Sequence, residues 1–404
     1  DKAVLAGRQY LLKGINDRLD PKWKWRFDQT DVLVCNALIH AGALEDPRFA
    51  AYAARVLREI ESRDLSTNYV AGLHMMMGEA MGDAQAPGCR MALTHILESQ
   101  GPRGLWSYQS RDTAAMRKMM DGLKAQAEPQ GPFRVLGGRA VGGEPLKRTS
   151  PPDLGVDGDN SVSQFAVLGL WSAVRSGMTV DPAIWKRCLE TTRLRQCADG
   201  SCGYNEESRG YGSMTCAYIC TVAICADQLG QDPVRDVGIQ RALAWLIQHW
   251  TVTENPAHNG QHYYYLYSIE RVGQILGLDF IGPNEWYPLG AKFLLEAQNA
   301  DGSWKGKAGS DTDARNATSF ALLFLTKATA SLKRGGDGLL KTAGPAPQPS
   351  RLYVILDASN SMNAEIGERL KFDIAREAVE SLIQVLPDRR SEEHTSELQS
   401  PNTI

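Results

Sequence analysis

Apolar and polar positions along the chain fall into two alternating patterns. In one, shown by Phe49, Tyr52, Ala53, Val56, Leu57 and Ile60, three-and-four spacing makes a single apolar stripe, so the segment predicts an amphipathic helix with one wet face. In the other, shown by Phe165 to Trp171 and Ala217 to Ile224, the run is apolar nearly all round, and such a helix must be buried on most sides. The first kind is predicted near 2 to 13, 47 to 60, 87 to 99, 181 to 196, 235 to 250 and 286 to 298. The second alternates with it near 30 to 42, 67 to 80, 160 to 175, 213 to 229, 262 to 277 and 313 to 330. Six of each closes a double ring with no exposed hydrophobic end.

Self-similarity supports the ring. Gln-x-x-x-Gly-x-Trp occurs at Gln100, Gly104 and Trp106 and again at Gln298, Gly302 and Trp304, with a degenerate copy at Gln196, Gly200 and Cys202. Gln248 closes another helix at the matching place, which makes the unit about 50 residues, an αα-hairpin repeat. Residues 107 to 158 interrupt the alternation with a basic stretch and a Gly/Pro-rich run, an insertion of the length that either functional lids or disordered loops have.

The Gln-Trp elements resemble the repeats of squalene and oxidosqualene cyclases, and the alternating helices resemble prenyltransferase β subunits. The resemblance covers about 330 residues and implies an all-α fold, an (α/α)6 toroid over residues 1 to 335. It also implies that the inner-helix N-termini gather at one rim of a central cavity where the family's sites lie. Class II terpene cyclases place Asp-x-Asp-Asp-Thr-Ala at an inner-helix start and protonate an alkene with the middle carboxylic acid. Asp157-Gly-Asp159-Asn160-Ser161 matches in part: Asp159 takes the acid's place, with Asp157 and Asn160 beside it. Asn160 stands where that family has a second Asp, which removes a carboxylate neighbour that helps set the acid's proton affinity. Asp and Asn at such starts also cap helices by accepting hydrogen bonds from unpaired N–H groups. The prenyltransferase zinc pair Asp-x-Cys is absent from the sequence, and His258 and His262 read as polar residues near a turn.

The fifth apolar helix carries His262-Tyr263-Tyr264-Tyr265-Leu266-Tyr267-Ser268-Ile269-Glu270-Arg271. Helical spacing puts Tyr263, Tyr267 and Glu270 near one face and Tyr264, Tyr267 and Arg271 on an overlapping one. A packed core would satisfy the hydroxyls with the adjacent Glu270–Arg271 ion pair. Four tyrosines within five residues cannot all enter one helix contact, so some face a cavity or a partner. Tyr263, Tyr264, Tyr267, Glu270 and Arg271, with Gln164, are therefore the candidate ligand-cavity residues, and Phe165, Trp171, Tyr204 and Tyr218 could extend the lining.

After Lys333 the composition turns to Gly and Pro, so 336 to 350 reads as a linker. A β-branched strand at Leu352 to Leu356, the run Asp357-Ala-Ser359-Asn-Ser361 and an amphipathic helix from about Leu370 to Val385 resemble the opening of a von Willebrand factor A domain. That family has a Rossmann-like α/β fold, and the motif contributes oxygen ligands from Asp357, Ser359 and Ser361 to a Mg²⁺ adhesion site. The later ligands lie beyond the sequence, so residues 351 to 390 form an incomplete domain and an incomplete metal site; the toroid itself requires no cofactor. Residues 391 to 404 lack strand or helix periodicity and read as a non-native tail.

Bulk properties limit the options further. With 404 residues, 43% hydrophobic and 23% charged, the chain is long and apolar enough for a large core. A net charge of −3 gives no global attraction to nucleic acid, and no apolar run has the roughly 18 residues of a membrane helix. Six of the eight cysteines lie between Cys188 and Cys225, three of them (Cys216, Cys220 and Cys225) in one apolar helix, and read as buried small hydrophobes; Cys197 and Cys202 flank a turn and could pair. The opening at Asp1 is read as an N-terminal truncation, which leaves a signal peptide and the compartment undetermined. Two functions fit: a ligand-binding or protein-interaction protein, with a partner held through the von Willebrand segment, and a terpene cyclase-like isomerase acting on an isoprenoid with Asp159 as general acid.

Overall fold

The structure, a computed structural model, describes residues 1–19, 27–62, 67–84, 86–108 and 158–332, together with 365–366 and 369–370. Asp157, nearly all of the 107–158 insertion, the linker, Asp357, Ser359, Ser361 and the tail lie outside the described residues. The chain divides into two compact units, Asp1–Arg334 and Gly335–Ile404.

In the first unit twelve helices are described. The outer ones are α1 (Lys2–Leu19), α3 (Pro47–Ser62), α5 (Pro87–Glu98), α7 (Pro182–Leu194), α9 (Val237–Gln248) and α11 (Trp286–Ala297). The inner ones are α2 (Gln29–His40), α4 (Asn68–Ala80), α6 (Asn160–Arg175), α8 (Gly212–Gln228), α10 (His262–Leu276) and α12 (Ala314–Leu325). Each inner helix packs against the next, and α12 packs back on α2, so the inner ring closes. Burial follows the apolar pattern: α8 is buried at every position from Gly212 to Ala226, whereas α9 buries only Ile239, Ala242, Trp245 and Leu246.

The repeated Gln-x-x-x-Gly-x-Trp is a clasp between neighbouring hairpins. Gln100 Nε2 donates to Gly104 O in its own turn at 2.9 Å and to Ile184 O, in the first turn of α7, at 3.0 Å. Gln196 repeats this with Gly200 O and Gly238 O, and Gln298 with Gly302 O and Ala3 O, the last joining the end of the ring to its beginning. Gly104 has φ +88°, and a Cβ there would lie 2.5 Å from the Arg187 backbone; Gly302 stands in the same relation to Ala6. Only glycine allows both the left-handed turn and the close approach. Trp106 and Trp304 are fully buried, and each indole N–H reaches back to its preceding helix, at Ile96 O and Leu294 O. At the degenerate copy, Cys202 fills the tryptophan position. Gln248 ends α9 but is exposed. There a two-stranded hairpin, β1 (Phe280–Ile281) with β2 (Asn284–Glu285), leads into α11.

The inner-helix N-termini are stitched to one another around one rim. Asn68 donates to Ser107 O, Asn160 N–H to Tyr204 O, and Tyr263 N–H to Asp311; Ser213 N–H donates to Asn255, and Arg315 pairs with Asp28. Capping is thus partly local, as at Asp28, Thr67, Asp159 and Asp313, and partly supplied by a neighbouring repeat.

All eight cysteines are free and seven are buried; Cys197 and Cys202 are not paired to each other. In the second unit, β3 (Glu365–Ile366) pairs antiparallel with β4 (Arg369–Leu370). The strand at 352–356 and all but the first residue of the helix expected from about Leu370 to Val385 lie outside the described residues. Among the described residues no helix is long and apolar enough to cross a membrane.

Candidate ligand site at the ring's mouth

The rim where α4, α6 and α10 begin is lined by aromatic side chains. Tyr69, the second residue of α4, packs on Phe165 of α6 at 4.3 Å between ring centroids and stacks on Tyr108 at 6.4 Å. Phe165 faces Tyr264 of α10 at 6.4 Å, and Phe320 of α12 lies 5.4 Å from Tyr264 and 5.8 Å from Tyr267. Tyr108 keeps 36% of its surface exposed, which marks the solvent side of this wall.

Arg271 lies behind it. Its side chain is fully buried, with the guanidinium 4.2 Å from the Tyr267 ring, 5.4 Å from Phe165 and 5.5 Å from Tyr264. Nη2 donates to Gln164 Oε1 at 3.1 Å and to Ser268 Oγ at 2.8 Å. Nε and Nη1 are buried without a hydrogen-bond partner. Gln164 in turn donates through Nε2 to the Tyr264 hydroxyl, and Ser161 Oγ lies 3.4 Å from the same hydroxyl. Gln164, Tyr264, Tyr267 and Arg271 are thus brought together as the sequence suggested.

The expected Glu270–Arg271 ion pair does not form. Residues adjacent in sequence point about 100° apart on a helix, and Glu270 turns to the segment after α12. There its oxygens accept from Thr329 N–H at 3.0 Å and Thr329 Oγ1 at 2.7 Å. Burial pushes its carboxyl up to about 7. Tyr263 also stands apart: its ring packs beside His262, and its N–H is capped by Asp311, whose carboxyl burial pushes up to about 6. Trp171 instead stacks under Arg175, and the Tyr218 hydroxyl lies against Gly238 of the outer α9. Neither extends the wall.

At the α6 start, Asp159 Oδ1 accepts from Val162 N–H at 2.8 Å, a helix cap, and the carboxyl is hydrogen-bonded to the Tyr204 side chain. Burial holds it above the usual carboxylate range against those hydrogen bonds. Asn160, expected to flank the acid, sends its amide to Gly203 O at 2.7 Å and Cys202 Sγ at 3.1 Å, tying down the neighbouring turn. Tyr204 and Tyr211 are half-buried at this rim, and Tyr211 stacks on His258 at 4.4 Å. Sequence reasoning missed Tyr69, Tyr108, Tyr211 and Phe320. For Tyr69 and Tyr211 the available signal was their place, just inside and just before an inner helix; Phe320 lies in the middle of α12 and Tyr108 at the start of the insertion.

A separate hollow of about 440 Å³ opens between α1, α2 and α3 where the ring closes, with Lys13, Arg18 and Arg315 at its edge. There Arg18 and Arg315 pair with Asp31 and Asp28.

No protein-family model matches the chain, and no curated protein matches it. Among solved structures it is similar to the type II terpene cyclase MstE from Scytonema, at 14% identity, 81% of this chain, 97% of that chain and a TM-score of 0.47. A variant of that cyclase in complex with geranylgeranyl dihydroxybenzoate matches at 14%, 81%, 96% and 0.47. A protein from Actinoplanes matches at 13%, 81%, 98% and 0.48. Similarity at this level decides nothing about chemistry; the double ring rests on its own contacts.

Proposed function

We propose that the ring is a ligand-binding module that recognises a partly apolar molecule at its tyrosine-rich mouth, rather than a catalyst of cyclisation. The position of Arg271 carries this reading. Acid-started cyclisation needs aromatic faces turned toward a developing carbocation, and here three such faces already look at a permanent guanidinium. A second unit charge about 6 Å away would be opposed by roughly 3 kcal/mol at an effective dielectric of about 20. Aromatic bodies with polar tips around a buried polar group suit binding instead.

A terpene cyclase-like isomerase is the second reading, with Asp159 as general acid. It is favoured by the burial that raises the Asp159 carboxyl above its ordinary pKa. Against it, one oxygen already caps α6 and Asn160 is turned away. The partner-binding role of residues 351–390, with Mg²⁺ at Asp357, Ser359 and Ser361, rests on the sequence resemblance.

Native mass spectrometry of the full chain with farnesol, geranylgeraniol and squalene, with product analysis, separates the two readings. Binding without turnover is expected, unchanged in Asp159→Asn. Turnover that disappears in Asp159→Asn would establish the cyclase and overturn the binding reading.

A further inference from the structure

Among the described residues the buried guanidinium has no counter-anion. Burying a charge costs several kcal/mol unless it is paired and its donors are satisfied, and Arg271 keeps Nε and Nη1 unpaired. Its hydrogen-bond partners are neutral: Gln164 and Ser268, with the Tyr267 hydroxyl and the Cys220 thiol also in bonding contact. The Tyr267 hydroxyl and the Cys220 thiol beside it are each pushed up to about 12, chiefly by burial. No carboxylate oxygen of a described residue lies within 4 Å of it, the nearest by sequence, Glu270, being bonded to Thr329. Cation–π contacts with Tyr267, Phe165 and Tyr264 recover part of the cost.

We infer that the ligand carries an anionic head, a carboxylate or a phosphate, and that Arg271 binds it while the apolar body lies along Tyr69, Phe165, Tyr264 and Phe320. This rests on the ligand-binding reading above. Gln164 marks the place of the head: its Oε1 is the acceptor now held at 3.1 Å from Nη2. A carboxylate entering from the Tyr108 side displaces that amide, accepts the Tyr264 O–H, and meets the guanidinium fork with two parallel N–H···O bonds. Tyr264 and Gln164 therefore act as a polar plug over the charge, and the plug opens when an anion replaces it.

The test measures dissociation constants of farnesoic acid, farnesyl monophosphate and farnesol for the full chain, by native mass spectrometry and by shifts in melting temperature. One of the two anions is expected to bind at least tenfold more tightly than the alcohol, and which one identifies the head. In Arg271→Met, with folding checked by circular dichroism, the anion and the alcohol are expected to bind alike; Arg271→Lys keeps part of the preference. Equal binding of both anions and the alcohol to the unaltered chain overturns the inference while leaving the ligand-binding reading in place, and it needs no variant. A preference for the anion that survives in Arg271→Met also overturns it. If none of the three binds, the ligand-binding reading fails, and this inference with it.

Discussion

Two clusters of this ring use the same residue types and reach opposite arrangements. At the seam where the last repeat meets the first, the fully buried Asp31 collects partners from three other helices and from the N-cap of its own. Arg18 of α1 lies at 2.7 Å, the Tyr52 hydroxyl of α3 donates at 2.6 Å, Asp28 N–H donates at 2.9 Å, and Arg315 of α12 lies at 3.6 Å. At the mouth, Glu270 and Arg271 are adjacent and equally buried, yet each is turned away from the other. The seam uses charge to fix how repeats meet, so its charges are compensated in the chain itself. The mouth keeps a charge for which no described residue supplies a counter-ion. A buried ion with its partner present is architecture; a buried ion without one is where a second molecule belongs.

The largest expected effect tests the architectural half. Asp31→Ala removes the common partner of Arg18, Arg315 and Tyr52, and breaking a buried pair from one side costs about 3 kcal/mol or more. The low end applies here, because both guanidiniums keep about a quarter of their surface, 25% and 26%, and can turn to water. Chemical denaturation of the full chain reads this directly. A loss below about 1 kcal/mol would mean that the seam is held by its apolar contacts and the Gln298 clasp alone.

Glu270 supplies the next effect, read as pH dependence. Its carboxyl is raised from an ordinary 4.5 to about 7, chiefly by burial, so the folded chain holds a proton that the unfolded chain has released. Between these values the folded state binds more protons, and stability falls as pH rises. This contribution is complete below about pH 4.5 and lost by about pH 7. A proton held that much more tightly by the folded chain is worth roughly 2–3 kcal/mol. Melting curves across that window, compared with Glu270→Gln, isolate it: the variant is expected to lose this part of the slope. An unchanged slope would show that Glu270 is already paired with charge.

Much of this architecture could be read along the chain, because helix type depends on short-range spacing. The pattern around Phe165 predicted a helix from 160 to 175, and α6 spans Asn160–Arg175. The repeated Gln-Gly-Trp located the hairpin joints, since a left-handed Gly and a buried indole leave their signature within seven residues. What escaped notice depends on contacts distant in sequence. Asp311 caps α10 rather than its own helix, across 48 positions, and Asn255 does the same for α8 across 42. The direction of Arg271 was equally hidden. Glu-Arg in sequence suggests an ion pair, and only Gln164, 107 positions away, shows where the guanidinium goes.

The smallest effect concerns a third carboxylate, whose principal partner is backbone rather than a cation. Asp159 caps α6 through Val162 N–H, and removing such a cap costs about 1 kcal/mol, whereas Asn caps about as well as Asp. Asp159→Ala is therefore expected to lose about 1 kcal/mol, and Asp159→Asn only a few tenths, with ligand binding intact in the second. The pair of variants separates geometry from proton chemistry, because Asn keeps the capping oxygen and cannot donate a carboxylic proton. If Asp159→Asn is as stable as the unaltered chain yet loses a chemical activity on an isoprenoid, the mouth is catalytic and Arg271 must be reread as holding the head of a substrate. If stability alone responds, and only to alanine, Asp159 belongs with Asp31 to the architecture of the ring, and Arg271 is the mouth's reserved charge.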